Sequence, residues 1–201
     1  MISEALKRYY KENYPKISNQ IYLFPDGSDS IQENVAPVKI RNDKNKLLVG
    51  YAGHLYKGKG MEVLSKLVAL CPWAEFHIIG GTNEDINVWK NKFSIYRNVF
   101  FHGFLPHKEI PSYLLAFDVL VAPYQREVTV YKQNHEKGIL SENTNVAKWM
   151  SPLKIFEYMS VGKAIVASDL PVLKEILKDG ESALLVDPDN TDKWALALWK
   201  L

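Results

Sequence analysis

The sequence predicts an α/β fold: a doubly wound, mainly parallel sheet with helices on both faces. Two observations carry this expectation. Short apolar runs recur along the chain, and each is followed by a segment with helical spacing. Glycine, proline and aspartate mark most of the joints between them. Strands alternating with helices of this length imply parallel crossovers, which cover both faces of a sheet.

The elements follow in order. Residues 1–14 read as a polar, basic helix, and residues 21–24 as a short strand closed by a Pro-Asp-Gly turn. A polar connection covers 28–46. Residues 47–53 form a strand and 61–70 a helix; 75–79 form a strand ending in Gly80 and Gly81, with a helix over 85–93. Then come a strand at 99–102, a helix over 108–116 and a strand at 118–122. Residues 125–147 are polar and lack a period, too long for an ordinary connection and so a candidate flexible active-site loop. A helix from Leu153 stops at Gly162, a buried strand covers 164–167, and a second helix starts near Pro171. A strand at 183–186 and a helix from about Asp192 close a sheet of the Rossmann-like kind. Such sheets bind ligands at the carboxyl ends of their strands, near a topological switch.

Composition narrows the function. The chain has 201 residues, 47% of them apolar, enough to bury one full core. Its net charge of +2 argues against a dedicated nucleic-acid binder. The single cysteine, Cys71, excludes an internal disulfide and fits a packing role. No apolar run approaches the ~20 residues of a membrane span, so a cytoplasmic setting is expected.

The most informative stretch is 151–171. Pro152 fits the first helical turn and Ser151 can cap it. Ile155, Phe156 and Met159 fall on one helical face, with Lys154, Glu157 and Tyr158 on the other. A helix N-terminus attracts anions, and an acid one turn further, Glu157, can accept hydrogen bonds from hydroxyls. A ligand with phosphate beside a diol, such as a sugar nucleotide, suits that pairing. Glu157 as an exposed partner of Lys154 suits the same position.

The first strand ends in Gly50 and Gly53, and Gly58 and Gly60 follow it, with Lys59 near the next helix start and His54 placed either to face a phosphate or as a plain loop histidine. The glycines serve a simple turn equally well, and the spacing is not Gly-x-Gly-x-x-Gly. Asp187 and Asp189 fit a turn and N-cap better than a metal pair. His77 and His102 lie within strands without ligands at metal spacing and read as structural. No metal site is expected.

Taken together, the Gly50–Gly60 segment, the run through His77 to Gly81, the Asn98–Gly103 run, residues 118–124 and the 151–159 motif stand in the order of a known family. The chain resembles the C-terminal, donor-binding half of a retaining glycosyltransferase of the GT-B fold, family 4 (group 1). The resemblance implies that 1–19 are a helix and connection from a missing N-terminal acceptor domain, and that 20–201 bind a nucleotide-sugar donor. It implies transfer of a hexose-type sugar to a glycan, lipid-linked or small-molecule acceptor, with no cofactor beyond the donor. Any membrane contact would be made through the missing half, at the inner face.

By the same resemblance, Glu157 binds the ribose hydroxyls and Lys59 neutralises the diphosphate. Met150, Ser151, Pro152, Leu153 and Lys154 lie against the sugar and diphosphate beside Gly53, and Gly103, Phe104 and Leu105 flank the base. Two positions depart from the family. His54 stands where many members carry arginine, and Trp149 where many carry a first glutamate; Glu142 is one acid that could replace it. A nucleotide-sugar epimerase and an inactive sugar-nucleotide-binding module are the alternatives.

Overall fold

A computed structural model describes residues 1–128 and 145–201. Six strands, β1 (Leu47–Ala52), β2 (Ala74–Ile79), β3 (Val99–Gly103), β4 (Val119–Ala122), β5 (Ala164–Ser168) and β6 (Leu184–Val186), form one sheet. Their order is β3-β2-β1-β4-β5-β6, and every pairing is parallel. The order reverses between β1 and β4, which opens a crevice at their carboxyl ends.

The helices are α1 (Glu4–Asn13), α2 (Met61–Leu70), α3 (Asn83–Lys92), α4 (Ile110–Ala116), α5 (Leu153–Ser160), α6 (Pro171–Lys174) and α7 (Thr191–Trp199). The period-2 alternation of the strands divides them between two layers. Val49, Tyr51, Phe76, Ile78, Val119 and Val121 face α2, α3 and α7. Leu48, Ala52, Ile79, Leu120 and Ile165 face α4, α5 and α6. The doubly wound architecture is therefore as the sequence predicts.

Two buried polar side chains on the α2 and α7 side of the sheet are satisfied by backbone. The Asn98 amide donates to the carbonyls of Val68, Cys71 and Ala74, fastening β3 to the turn between α2 and β2. The fully buried Trp194 donates to the Asp187 carbonyl. Cys71 is buried, and burial pushes its thiol up to about 11, as a packing residue requires.

Three expectations need correction. Residues 21–24 are not a strand. Tyr22 O and Phe24 N pair with Met1 instead of a sheet edge, so their hydrogen bonds are spent on the start of the chain. On α5 the core side chains are Ile155 and Tyr158, whereas Met159 is exposed. Tyr158 can enter the core because its hydroxyl accepts from Ala52 N at 2.8 Å, satisfying the last β1 amide. Asp187 forms the expected turn by accepting from Asp189 N, but the N-cap of α7 is Asn190.

Of the 125–147 loop, residues 129–144, Glu142 among them, lie outside the described residues. Its two described ends are held together by Asn145, which accepts from Val128 N and donates to Arg126 O.

Candidate functional site

The crevice between β1 and β4 is built from two loops that touch. Gln125 N donates to Gly58 O at 2.9 Å, and Gly58 has φ +85 with the Glu127 backbone against it, so no side chain fits there. From beneath, the Tyr51 hydroxyl donates to the His54 carbonyl at 2.6 Å, with the Lys59 carbonyl a second acceptor at 3.1 Å. A tyrosine at the end of β1 thus sets the shape of the 53–60 loop.

The N-terminus of α5 faces the same crevice. Pro152 is its N-cap, one residue later than the Ser151 cap the sequence implies, and no side chain caps the helix. Ser151 does not cap; its hydroxyl is buried and has no partner among the described residues. The first amides of α5 therefore keep the positive end of the helix dipole unspent.

Two lysines enter this space. The Lys154 ammonium lies 3.9 Å from the centroid of the Tyr51 ring and 5.1 Å from that of Tyr124, buried and without a hydrogen-bond partner among the described residues. Burial holds its pKa well below the ordinary lysine value; the Lys59 charge adds to this and Glu157 opposes it. Lys59 stands 5.4 Å from the same Tyr124 ring, its pKa also lowered by burial. His54 is stacked on Tyr56. Burial, then the charges of Lys59 and Lys154, lower its pKa against the pull of Asp85, so it is neutral at pH 7.

Glu157 lies on a neighbouring groove of about 540 Å³. Ser28, His107, Lys108 and Leu153 share its wall. The Glu157 carboxylate meets His107 Nε2 at 3.2 Å, not Lys154, so the exposed Lys154–Glu157 pair is absent among the described ion pairs. Gly103, at φ +73, ends β3 and turns the chain into this region, leaving the Phe104 ring 81% exposed while Leu105 packs inward. A larger surface depression of about 730 Å³ between 65–70 and 189–192 includes Asp189 but none of the residues expected to bind the donor.

The fold therefore gathers Gly53, Lys59, Ser151, Pro152 and Lys154 at one point and sets Leu153, Glu157 and the 103–107 loop beside it. Met150 belongs to the packing under α1 and bonds Val146 O. Trp149 is also committed there, its ring 5.1 Å from Tyr9 and its carbonyl accepting from Ser3. Tyr51 and Tyr124, which frame the lysines, escaped the sequence reading; aromatic ends of apolar strands look like ordinary core.

No group of three or more metal-ligating side chains occurs among the described residues. Asp187 and Asp189 are both held by Arg126. His77 and His102 bond each other at 2.9 Å across adjacent strands. Burial, with His102 and Arg41 nearby, lowers the His77 pKa to about 4.

A family model described as glycosyl transferases group 1 matches residues 46–201. A phosphatidyl-myo-inositol mannosyltransferase of Mycolicibacterium smegmatis is 25% identical over 98% of this chain and 46% of its own length. An uncharacterized 41.2 kDa protein in the cps region of Klebsiella pneumoniae is 24% identical over 81% of this chain and 40% of its own. The chain thus spans less than half the length of these curated relatives. Among solved structures, Anabaena Alr3699/HepE in complex with UDP and glucose superposes with a TM-score of 0.70 at 17% identity. That match covers 98% of this chain and 51% of the other. Sucrose-phosphate synthase from Thermosynechococcus elongatus gives 0.71 at 21% identity, over 99% and 47%. At such identities the likeness concerns the fold.

Proposed function

The chain belongs to the group 1 glycosyl transferases, and from that premise we propose that residues 20–201 are the C-terminal, donor-binding half of a retaining family 4 enzyme. Residues 1–19 are the helix and connection arriving from an acceptor-binding half. The whole enzyme moves a hexose-type sugar from a nucleotide to a glycan, lipid-linked or small-molecule acceptor, in a cytoplasmic setting. One observation carries this reading: the uncapped N-terminus of α5 and the Lys59 and Lys154 side chains meet at the sheet's switch point. Such a partly dry, positive socket suits a diphosphate, and it stabilises the charge that develops when the diphosphate leaves.

In this reading Lys59 and the α5 amides hold the diphosphate, with Gly53, Ser151 and Pro152 shaping that wall, Leu153 bordering the groove beside it, and Met150 supporting the turn from the core side. Glu157 accepts hydrogen bonds from the ribose, and Gly103, Phe104 and Leu105 border the base. His54, neutral at pH 7, contributes shape and not charge. The commitment of Trp149 to α1 favours a second reading, a sugar-nucleotide-binding module without turnover, since no carboxylate stands there for the sugar hydroxyls.

A thermal-shift screen with UDP, GDP and ADP tests the site. One diphosphate at ~100 times its dissociation constant should add about 2.7 kcal/mol of stability. No stabilisation by any of the three would refute the donor-site reading. Labelled nucleotide sugars given to the whole enzyme then separate the classes. Transfer or slow hydrolysis supports a transferase, sugar inversion an epimerase, and binding without turnover a module.

A further inference from the structure

We propose that Ser3 and Glu175 are positioning residues for the donor site: they clip the start of α1 to the turn 149–152, so the placement of α1 sets where the first amides of α5 stand. The inference rests on the donor-site reading and goes beyond it, since neither residue lines the groove beside α5.

Two helix starts meet at this turn, and the fold treats them in opposite ways. At α5 no side chain caps the first amides. At α1 the first three are all taken. Glu4 N and Ala5 N donate to the two Glu175 carboxylate oxygens at 2.8 and 2.9 Å, and Leu6 N donates to Ser3 Oγ at 3.1 Å. An acid beside a helix N-terminus is favoured by the dipole as well. Glu175 lies 170 residues beyond Ala5, at the C-cap of α6, so this contact is tertiary and not a local cap. Ser3 then donates its own hydroxyl proton to the Trp149 carbonyl at 2.8 Å, and the Tyr9 ring of α1 lies 5.1 Å from that of Trp149. Ser3 is only 4% exposed, so water does not compete for the bond. The turn has little else behind it. A cavity of about 70 Å³ lies between it, residues 2–4 and α6, and the buried Ser151 hydroxyl on its wall has no partner among the described residues. The turn's own hydroxyl is idle, and the anchor is supplied by Ser3. In the donor-site reading α1 arrives from the acceptor-binding half, so the clip passes a movement of that half to the amides that face the diphosphate.

Amide hydrogen exchange read by NMR on residues 1–201, as wild type, Ser3→Ala, Ser3→Thr and Glu175→Gln, tests the clip. The Trp149 and Met150 amides, which bond Val146 O, should exchange about 3–10-fold faster in Ser3→Ala, as expected for the loss of one hydrogen bond. Glu175→Gln leaves one α1 amide without its acceptor and should have the same effect. Ser3→Thr keeps the hydroxyl and should keep the wild-type rates. Amides inside β1 and β2 should stay within about twofold in every variant. Wild-type rates at Trp149 and Met150 in either Ser3→Ala or Glu175→Gln would overturn the proposal. So would a rise shared equally by the whole sheet, which marks general destabilisation. Bound ligand reads the link in reverse, because coupling between two sites is reciprocal. With UDP, GDP or ADP bound, the Glu4 and Ala5 amides should exchange more slowly in wild type, and Ser3→Ala should abolish that response. A bound diphosphate that leaves both amides unchanged would overturn the positioning role while sparing the donor site. A wild type that binds none of the three would overturn the donor-site reading itself, and this role for Ser3 and Glu175 with it.

Discussion

Replacing Glu157 by glutamine should weaken nucleotide binding while leaving the ligand-free protein as stable as before. Glu157 contributes little to the fold. Its side-chain partner is His107, 3.2 Å away, and the His107 side chain is 79% exposed. A pair so open to solvent is worth about 0–1 kcal/mol. A carboxylate accepting from ribose hydroxyls should instead contribute about 1.5–3 kcal/mol, or roughly 10–150-fold in affinity. The two magnitudes separate binding from stability, so Glu157→Gln should leave Tm nearly unchanged. The His107 contact adds a second sign. The ribose must displace it, so His107→Ala should tighten binding, by up to about fivefold if the pair is worth the full 1 kcal/mol. Calorimetry of wild type and Glu157→Gln with the nucleotide and its 2′,3′-dideoxy analogue forms a double-mutant cycle. A coupling free energy near zero would show that Glu157 does not hold the ribose, and weaker binding by His107→Ala would refute the displacement.

Three further outcomes are expected. His77 takes its proton near pH 4 in the fold but near ~6.5 in the unfolded chain, so between those values the unfolded state binds more protons. Stability should therefore fall as the pH drops from about 6.5 towards 4, by up to about 3 kcal/mol; urea titrations giving His77→Phe the same pH slope as wild type would rule this out. Tyr158→Phe strands the buried Ala52 amide at the end of β1 and should cost about 1–3 kcal/mol in the same assay, with a loss below ~0.5 kcal/mol counting against that hydrogen bond. If residues 20–201 are the donor-binding half, as proposed, residues 1–201 by themselves should bind nucleotide yet transfer no sugar, because that half forms only one wall of the cleft; multiple-turnover transfer by residues 1–201 alone would contradict that proposal.

Much of this protein is written locally. The strands at 47, 75, 99, 118 and 164 and the helices between them follow from apolar period and turn residues, which act over neighbours in the chain. The open amides at the start of α5 are local too, since a helix start needs only its own backbone. Residues 21–24 show the limit: their apolar run has the composition of a strand, but strand pairing needs a neighbour, and the hydrogen bonds go to Met1 instead. On α5, Phe156 and Met159 fit an apolar face as well as Ile155 and Tyr158 do. Only the position of the β1 amide at Ala52 selects Tyr158 for the core. The site's charge balance is likewise a tertiary outcome. Lys154 reads in sequence as a surface partner for Glu157, yet its amine is buried and without a hydrogen-bond partner among the described residues, because β1 and β4 bring Tyr51 and Tyr124 around it. Periodicity reports which residues avoid water, whereas hydrogen-bond partners and unpaired charge depend on distances between segments far apart in the chain.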